Sequence, residues 1–135
     1  MPSKNDDFFC IEGTHLVEES LKATLELSSI IATEEWLLKN KVLATSLNER
    51  SINFVSKEAL TSAVSTRNPD GIAALVKISE LKKFCISQED DFLLVLDRVQ
   101  DPGNLGTLFR ISLAAGINKI LLAGGANPLN QKVIR

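Results

Sequence analysis

Phe92-Leu93-Leu94-Val95-Leu96 is an uninterrupted apolar run with no polar residue on either face. Alternation marks a strand with one wet face, whereas a short continuous run bounded by turn formers marks a parallel strand covered on both. Residues 97–103 supply a turn, residues 105–115 carry a helical pattern, Gly116 is placed to stop that helix, and Lys119-Ile120-Leu121-Leu122 reads as the next strand. The order predicts a βαβ unit, one half-turn of a doubly wound sheet. A unit this short cannot cover both faces of its own sheet. Cover must come from the preceding residues, from a partner chain, or from sequence beyond a cut.

The preceding residues are rich enough to form a unit of their own. Phe8-Phe9-Cys10-Ile11 reads as a strand, and Val17, Leu21 and Leu25 then fall every fourth residue, giving a helix with one apolar stripe. Ser29-Ile30-Ile31 follows as a strand, residues 33–40 as a helix, Val42-Leu43-Ala44 and Ile52-Asn53-Phe54-Val55 as strands, and residues 56–64 as a helix. Residues 65–71 are dense in turn formers, and residues 72–78 close the unit with another strand. Such alternation means a small α/β layer fold. Residues 79–91 read as a charged, partly helical connection, so the predicted units are 1–85 and 86–135.

Composition narrows the function classes. The 135 residues, 44% hydrophobic and 24% charged, exclude wholesale disorder. A net charge of −2 excludes nucleic-acid binding by a basic coat, so any RNA contact must be local. Up to residue 90 there are 10 basic and 14 acidic residues, and after it 5 and 3, so the second part is the more basic. Two separated cysteines, Cys10 and Cys85, give neither a disulfide framework nor a zinc cluster, and are read as reduced, half-buried thiols. The polar, acidic opening is unlike a signal sequence, and no apolar stretch approaches the ~20 residues of a membrane helix. A soluble, cytoplasmic protein with no membrane partner is expected.

The most informative stretch runs from Leu96 to Arg110. Pro102 fixes φ, Gly103 permits a tight reversal, Asn104 suits a helix cap, and Gly106 removes a side chain where another backbone or a ligand approaches. A capped helix start past the carboxyl end of a parallel strand is also where α/β folds place ligands. The plain alternative is a strand-to-helix turn in which Asn104 only caps and Arg110 is solvated. Neither G-x-G-x-x-G nor G-K-[ST] occurs, so the standard nucleotide loops are excluded.

Asp101-Pro102-Gly103-Asn104-Leu105-Gly106, then Arg110, then Ala114-Ala115-Gly116-Ile117, resembles the first signature of the SpoU (TrmH) family of SPOUT RNA 2′-O-ribose methyltransferases. Residues 9–21, with Glu12-Gly13-Thr14-His15, look like the opening of the small L30e-like α/β substrate-binding domain of that family, and Pro69-Asp70-Gly71-Ile72-Ala73-Ala74 like its closing strand. The resemblance implies methyl transfer from S-adenosylmethionine to a ribose 2′-hydroxyl in structured RNA, ribosomal rather than transfer RNA, by a homodimer. It implies Asn104 and Arg110 as active-site residues, Arg110 also touching RNA, and Glu12, Gly13 and His15 as RNA contacts. In the family, further signatures complete a carboxyl-terminal knot and the cofactor pocket. Those residues are expected beyond Arg135, so the chain reads as an amino-terminal fragment, inactive alone, truncated before the knot.

Other residues are assigned more plainly. His15 is either a surface helix residue or an RNA contact, since the start of its helix can face a phosphate. Asp97 and Asp101 lack a third oxygen ligand, so no metal is expected. Trp36 and the six Phe fall mostly in apolar patterns and read as core, while Glu18-Glu19 and Glu34-Glu35 read as solvated faces. Asn104 and Arg110, six residues apart, point about 240° apart on a regular helix. Both reach one site only if Asn104 lies in the turn. Two other functions remain open: a non-catalytic RNA-binding module, and a dimerisation piece using Ala114, Ala115 and exposed apolar residues of the second unit.

Overall fold

The computed structural model describes residues 7–47, 52–81 and 92–135, which fall into two compact units divided at Lys82/Lys83. Cys85 and most of the expected connection lie outside the described residues.

The first unit runs β1 (Phe8–Glu12), α1 (Thr14–Lys22), β2 (Leu27–Ala32), α2 (Glu34–Lys39), α3 (Lys41–Ser46), β3 (Ile52–Phe54), α4 (Lys57–Ala63) and β4 (Ile72–Lys77). Its sheet order is β1-β4-β2-β3, antiparallel except for the parallel β2–β3 pair. Register puts Ile11 and Ile30 on either side of Ala74, so one face of the sheet is a continuous apolar surface. Against it pack Val17 of α1, Trp36 of α2 and Ala44 of α3, all buried.

Three expectations for this unit change. Val42-Leu43-Ala44 is helical: Ala44 is buried and Val42 is 85% exposed, a one-sided pattern that three apolar residues cannot distinguish from a strand. Asn40 breaks α2 from α3, its side-chain amide donating to the Trp36 carbonyl at 2.9 Å. The first helix stops at Lys22, short of Leu25, because Thr24 takes φ +57° and the Leu25 N–H returns to the Ser20 carbonyl at 3.0 Å. Trp36 lies in the core as expected, but Phe8 and Phe54, like Phe92 of the second unit, are exposed rather than packed.

The second unit runs β5 (Leu94–Val99), α5 (Pro102–Ala114), β6 (Ile120–Gly125) and α6 (Gln131–Ile134). β5 and β6 are parallel, so the βαβ reading holds. Gly116 ends α5 as expected: at φ +80° it donates to the Leu113 carbonyl while the Ile117 N–H reaches Ser112, closing both orphan carbonyls of the last turn. Leu96, Leu105 and Val133 form the buried centre, with Leu94, Ile120 and Leu122 packed around it.

The described residues supply only part of the two-sided cover expected of β5. Val95 and Leu121, paired in register, are 52% and 43% exposed, so α5 and α6 cover one face only. The strand also begins two residues later than expected, at Leu94, and runs on through Val99. Helix α6, with Asn130 accepting from the Lys132 N–H at 2.9 Å, has no counterpart in the sequence reading.

Candidate functional site

The start of α5 differs from its expected form in one respect that matters. Asp101, not Asn104, is the N-cap: its Oδ1 accepts from the Asn104 N–H at 2.7 Å, and Pro102 opens the helix where no N–H is needed. Asn104 therefore stands inside the first turn. The condition for placing its side chain and that of Arg110 on one face is not met, because both belong to the same regular helix. Both residues are exposed.

Arg110 is held back along its own helix. Its Nη2 donates to Thr107 Oγ1 at 3.4 Å, and Thr107 in turn donates to the Gly103 carbonyl at 2.9 Å. The chain Gly103-Thr107-Arg110 thus forms a polar stripe on the exposed side of α5. Gly106 is buried behind it for the reason its lack of a side chain suggested. A Cβ there would sit 2.9 Å from the Val133 carbonyl oxygen and 3.3 Å from Arg110 Nη1. The glycine lets α6 pass close and leaves the guanidinium room to fold over.

In the first unit the structure sorts the three expected RNA contacts by what each side chain does. Glu12 is buried, and its carboxylate accepts from the Ser65 N–H (2.8 Å), the Thr66 N–H (3.1 Å) and both hydroxyls of that pair. It clasps the loop before β4. Gly13 has φ +99°, which an L side chain rarely adopts, and its N–H donates to the Ile72 carbonyl at 3.0 Å. His15 is exposed on α1. Of the three, it alone presents its side chain to solvent.

Asp70 is the residue the sequence reading missed. Its Oδ2 accepts from the Thr14 N–H at 2.9 Å, capping α1 across 56 residues because Gly13 has no side chain to do so. Trp36 Nε1 donates to Thr14 Oγ1 at 2.7 Å, and Gly71 passes so close that a Cβ would lie 2.7 Å from that of Trp36. The helix start expected to face a phosphate is therefore already occupied by a carboxylate. The adjoining cleft, about 570 Å³, is lined by Glu34, Glu35 and Asp70 as well as Lys39 and Lys57, a charge balance that does not favour an anion. No local spacing signals the Asp70–Thr14 bond, which is made only when β1 and β4 pair.

Burial, and secondarily the Glu12 carboxylate, pushes the half-buried Cys10 thiol above its ordinary range, and its Sγ donates to the Ile11 carbonyl at 3.7 Å. Among the described residues no three His, Cys, Asp or Glu converge on a point, and no helix is long and apolar enough to cross a membrane.

Comparison with known proteins matches both units. Residues 10–82 fit the model for RNA 2′-O ribose methyltransferase substrate binding, and residues 91–135 that for the SpoU rRNA methylase family. The chain is 38% identical over 128 residues to an uncharacterized tRNA/rRNA methyltransferase of Synechocystis, covering 93% of this chain and 46% of that protein. It is 35% identical to the 23S rRNA (guanosine(2553)-2′-O)-methyltransferase RlmP of Bacillus subtilis, covering 94% and 48%. A crystal structure of an RNA 2′-O ribose methyltransferase superposes with TM-score 0.73 at 31% identity, over 96% of this chain and 50% of that one. The methyltransferase AviRb of Streptomyces viridochromogenes, solved with the cofactor AdoMet, shares the fold (TM-score 0.75, 19% identity, 96% and 50% covered). The chain thus spans about half the length of the curated relatives it matches. Two family models in the expected order, covering nearly all of the sequence, leave one conclusion: the chain belongs to the SpoU family of RNA 2′-O-ribose methyltransferases.

Proposed function

We propose that the chain is the amino-terminal part of an RNA 2′-O-ribose methyltransferase that acts on ribosomal RNA, the first unit presenting the RNA and the second carrying Arg110 and Asn104. The observation that carries this reading is the polar stripe of α5. It lies in the segment matched by the methylase model, and its arginine is exposed about two turns into the helix of the βαβ unit. S-adenosylmethionine supplies the activated methyl group when bound. Gly125 serves strand contact, since a Cβ there would lie 2.5 Å from the Val99 carbonyl oxygen.

The Arg110 guanidinium offers N–H donors and no acceptor. Its role is to hold the phosphate beside the target ribose, or to stabilise charge developing on the 2′-oxygen, rather than to accept a proton. The Asn104 side-chain amide offers a donor and an acceptor at the helix head. In the first unit His15 meets the RNA directly, whereas Glu12 and Gly13 shape the surface beside it. The exposed Ile111, Leu113, Ala114 and Ala115 of α5 suit the homodimer expected of the family, and the cytoplasm is the compartment where such RNA is met.

Methyl transfer to large-subunit ribosomal RNA by a protein of the relatives' full length tests this. Arg110→Ala should lower turnover by two or more orders of magnitude with the circular dichroism spectrum unchanged, an effect of the size seen when one transition-state donor is lost, about 10²-fold. Normal turnover in that variant removes Arg110 from the site. The match of residues 10–82 to the substrate-binding model favours a second reading for these residues, a non-catalytic RNA-binding module. RNA binding without methyl transfer by these 135 residues would select it.

A further inference from the structure

Arg98 is the one residue of β5 in the left-handed region, with φ +48°. It stands between the Asp97–Ala123 and Val99–Gly125 pairs, opposite Gly124, which is itself at φ +77°. A Cβ on Gly124 would lie 3.7 Å from Arg98 Cγ, so the arginine stem lies over the glycine at the carboxyl end of the sheet. Both strands are bent here, but only one of them uses a residue that adopts the bend without steric penalty.

The side chain does not recover that penalty in stability. Its one ion pair, Nε to Asp97 Oδ1 at 3.1 Å, joins groups 75% and 65% exposed, and surface pairs of this kind contribute little. What the pair does is orient the guanidinium. With Nε committed to Asp97, the two terminal nitrogens make no bond among the described residues, and together they match the spacing of two phosphate oxygens. Arg98 stands near the carboxyl end of a parallel strand, the end at which α/β sheets bind ligands, and strained backbone concentrates at such places.

We propose that Arg98 is a substrate-positioning residue that grips a phosphodiester of the RNA through its two terminal nitrogens, with Asp97 setting its orientation. This rests on the RNA reading given above and adds to it a contact outside the Asn104–Arg110 signature. The contact requires the conformation that an arginine adopts at a cost, so removing the side chain should stabilise the unit and weaken binding together.

The test is binding of the chain to a transcribed 23S ribosomal RNA hairpin across a salt series, alongside denaturation of the second unit. Arg98→Gly should lower affinity roughly five- to tenfold and reduce the salt slope by about one phosphate contact, while raising the denaturation midpoint. Arg98→Lys should keep the slope and lose part of the affinity, since the charge survives and the fork does not. Thr24→Gly is the control: it relieves the same left-handed strain in the first unit, so it should raise stability and leave binding unchanged. If Arg98→Gly binds with unaltered affinity and slope while the unsubstituted chain binds, the inference is overturned. A lowered midpoint in that variant would overturn it too. No binding by the unsubstituted chain would remove the RNA reading itself, and the inference with it.

Discussion

Both units are built from strands of similar apolar content, yet only the first encloses them. Among the described residues, thirteen hydrophobic side chains of the first unit are buried against three of the second. In the first, Ile11, Ile30, Ile72, Ala74 and Val76 meet helices across a four-stranded sheet, and the loops are tied to that sheet by polar groups, the buried Glu12 to Ser65 and Thr66, and the exposed Asp70 to Thr14. In the second, α5 and α6 cover one face of a two-stranded sheet, and Val95 and Leu121 stand exposed on the other. The difference teaches that the four-stranded sheet finds its helical cover within these residues, whereas the two strands of the second unit, in a chain that spans about half its relatives' length, find it on one face. The unit that closes its own core also holds its loops by bonds that span more than 50 residues.

The largest perturbation to this contrast is Trp36→Ala. Trp36 joins the core to the Thr14–Asp70 junction, so the change should destabilise the first unit by about 3–5 kcal/mol, the range for deleting a buried aromatic. Chemical denaturation followed by circular dichroism should show the first unit's transition move while the second unit's signal stays in place. If both move equally, the units do not unfold independently. A smaller effect separates the two roles at the head of α5. Asp101→Ala should cost about 1 kcal/mol through the lost cap, whereas Asn104→Ala should lie within about 0.5 kcal/mol because its side chain makes no bond among the described residues. The reverse ranking in thermal melts would return the cap to Asn104.

Much of this was legible from residues alone because it is governed by local pattern. The parallel βαβ unit follows from two apolar runs flanking a helical period, the stop at Gly116 from its freedom at positive φ, and the burial of Trp36 from its place in an apolar helix face. Helix α3 was not legible, since Val42-Leu43-Ala44 satisfies either period over three residues and only burial of Ala44 with exposure of Val42 decides. Nor was the cap. Asp101 and Asn104 are both good capping residues, and Pro102 at the first helical position was the overlooked signal favouring the earlier one. The Asp70–Thr14 and Glu12–Thr66 bonds depend on strand pairing, which no single segment encodes. Two-sided cover for β5 is expected from its composition, and the described residues supply one side of it, since exposure depends on what is packed against a strand.

Residue-resolved hydrogen exchange tests the contrast between the units most directly. The account predicts that amides of β2 and β4, such as Ile30 and Val76, exchange only through global unfolding of the first unit. Those of β5 and β6, such as Leu96 and Leu122, should exchange at least about a hundredfold faster through local opening. Equal protection across both sheets would contradict it, and would mean that the second unit is as self-sufficient as the first.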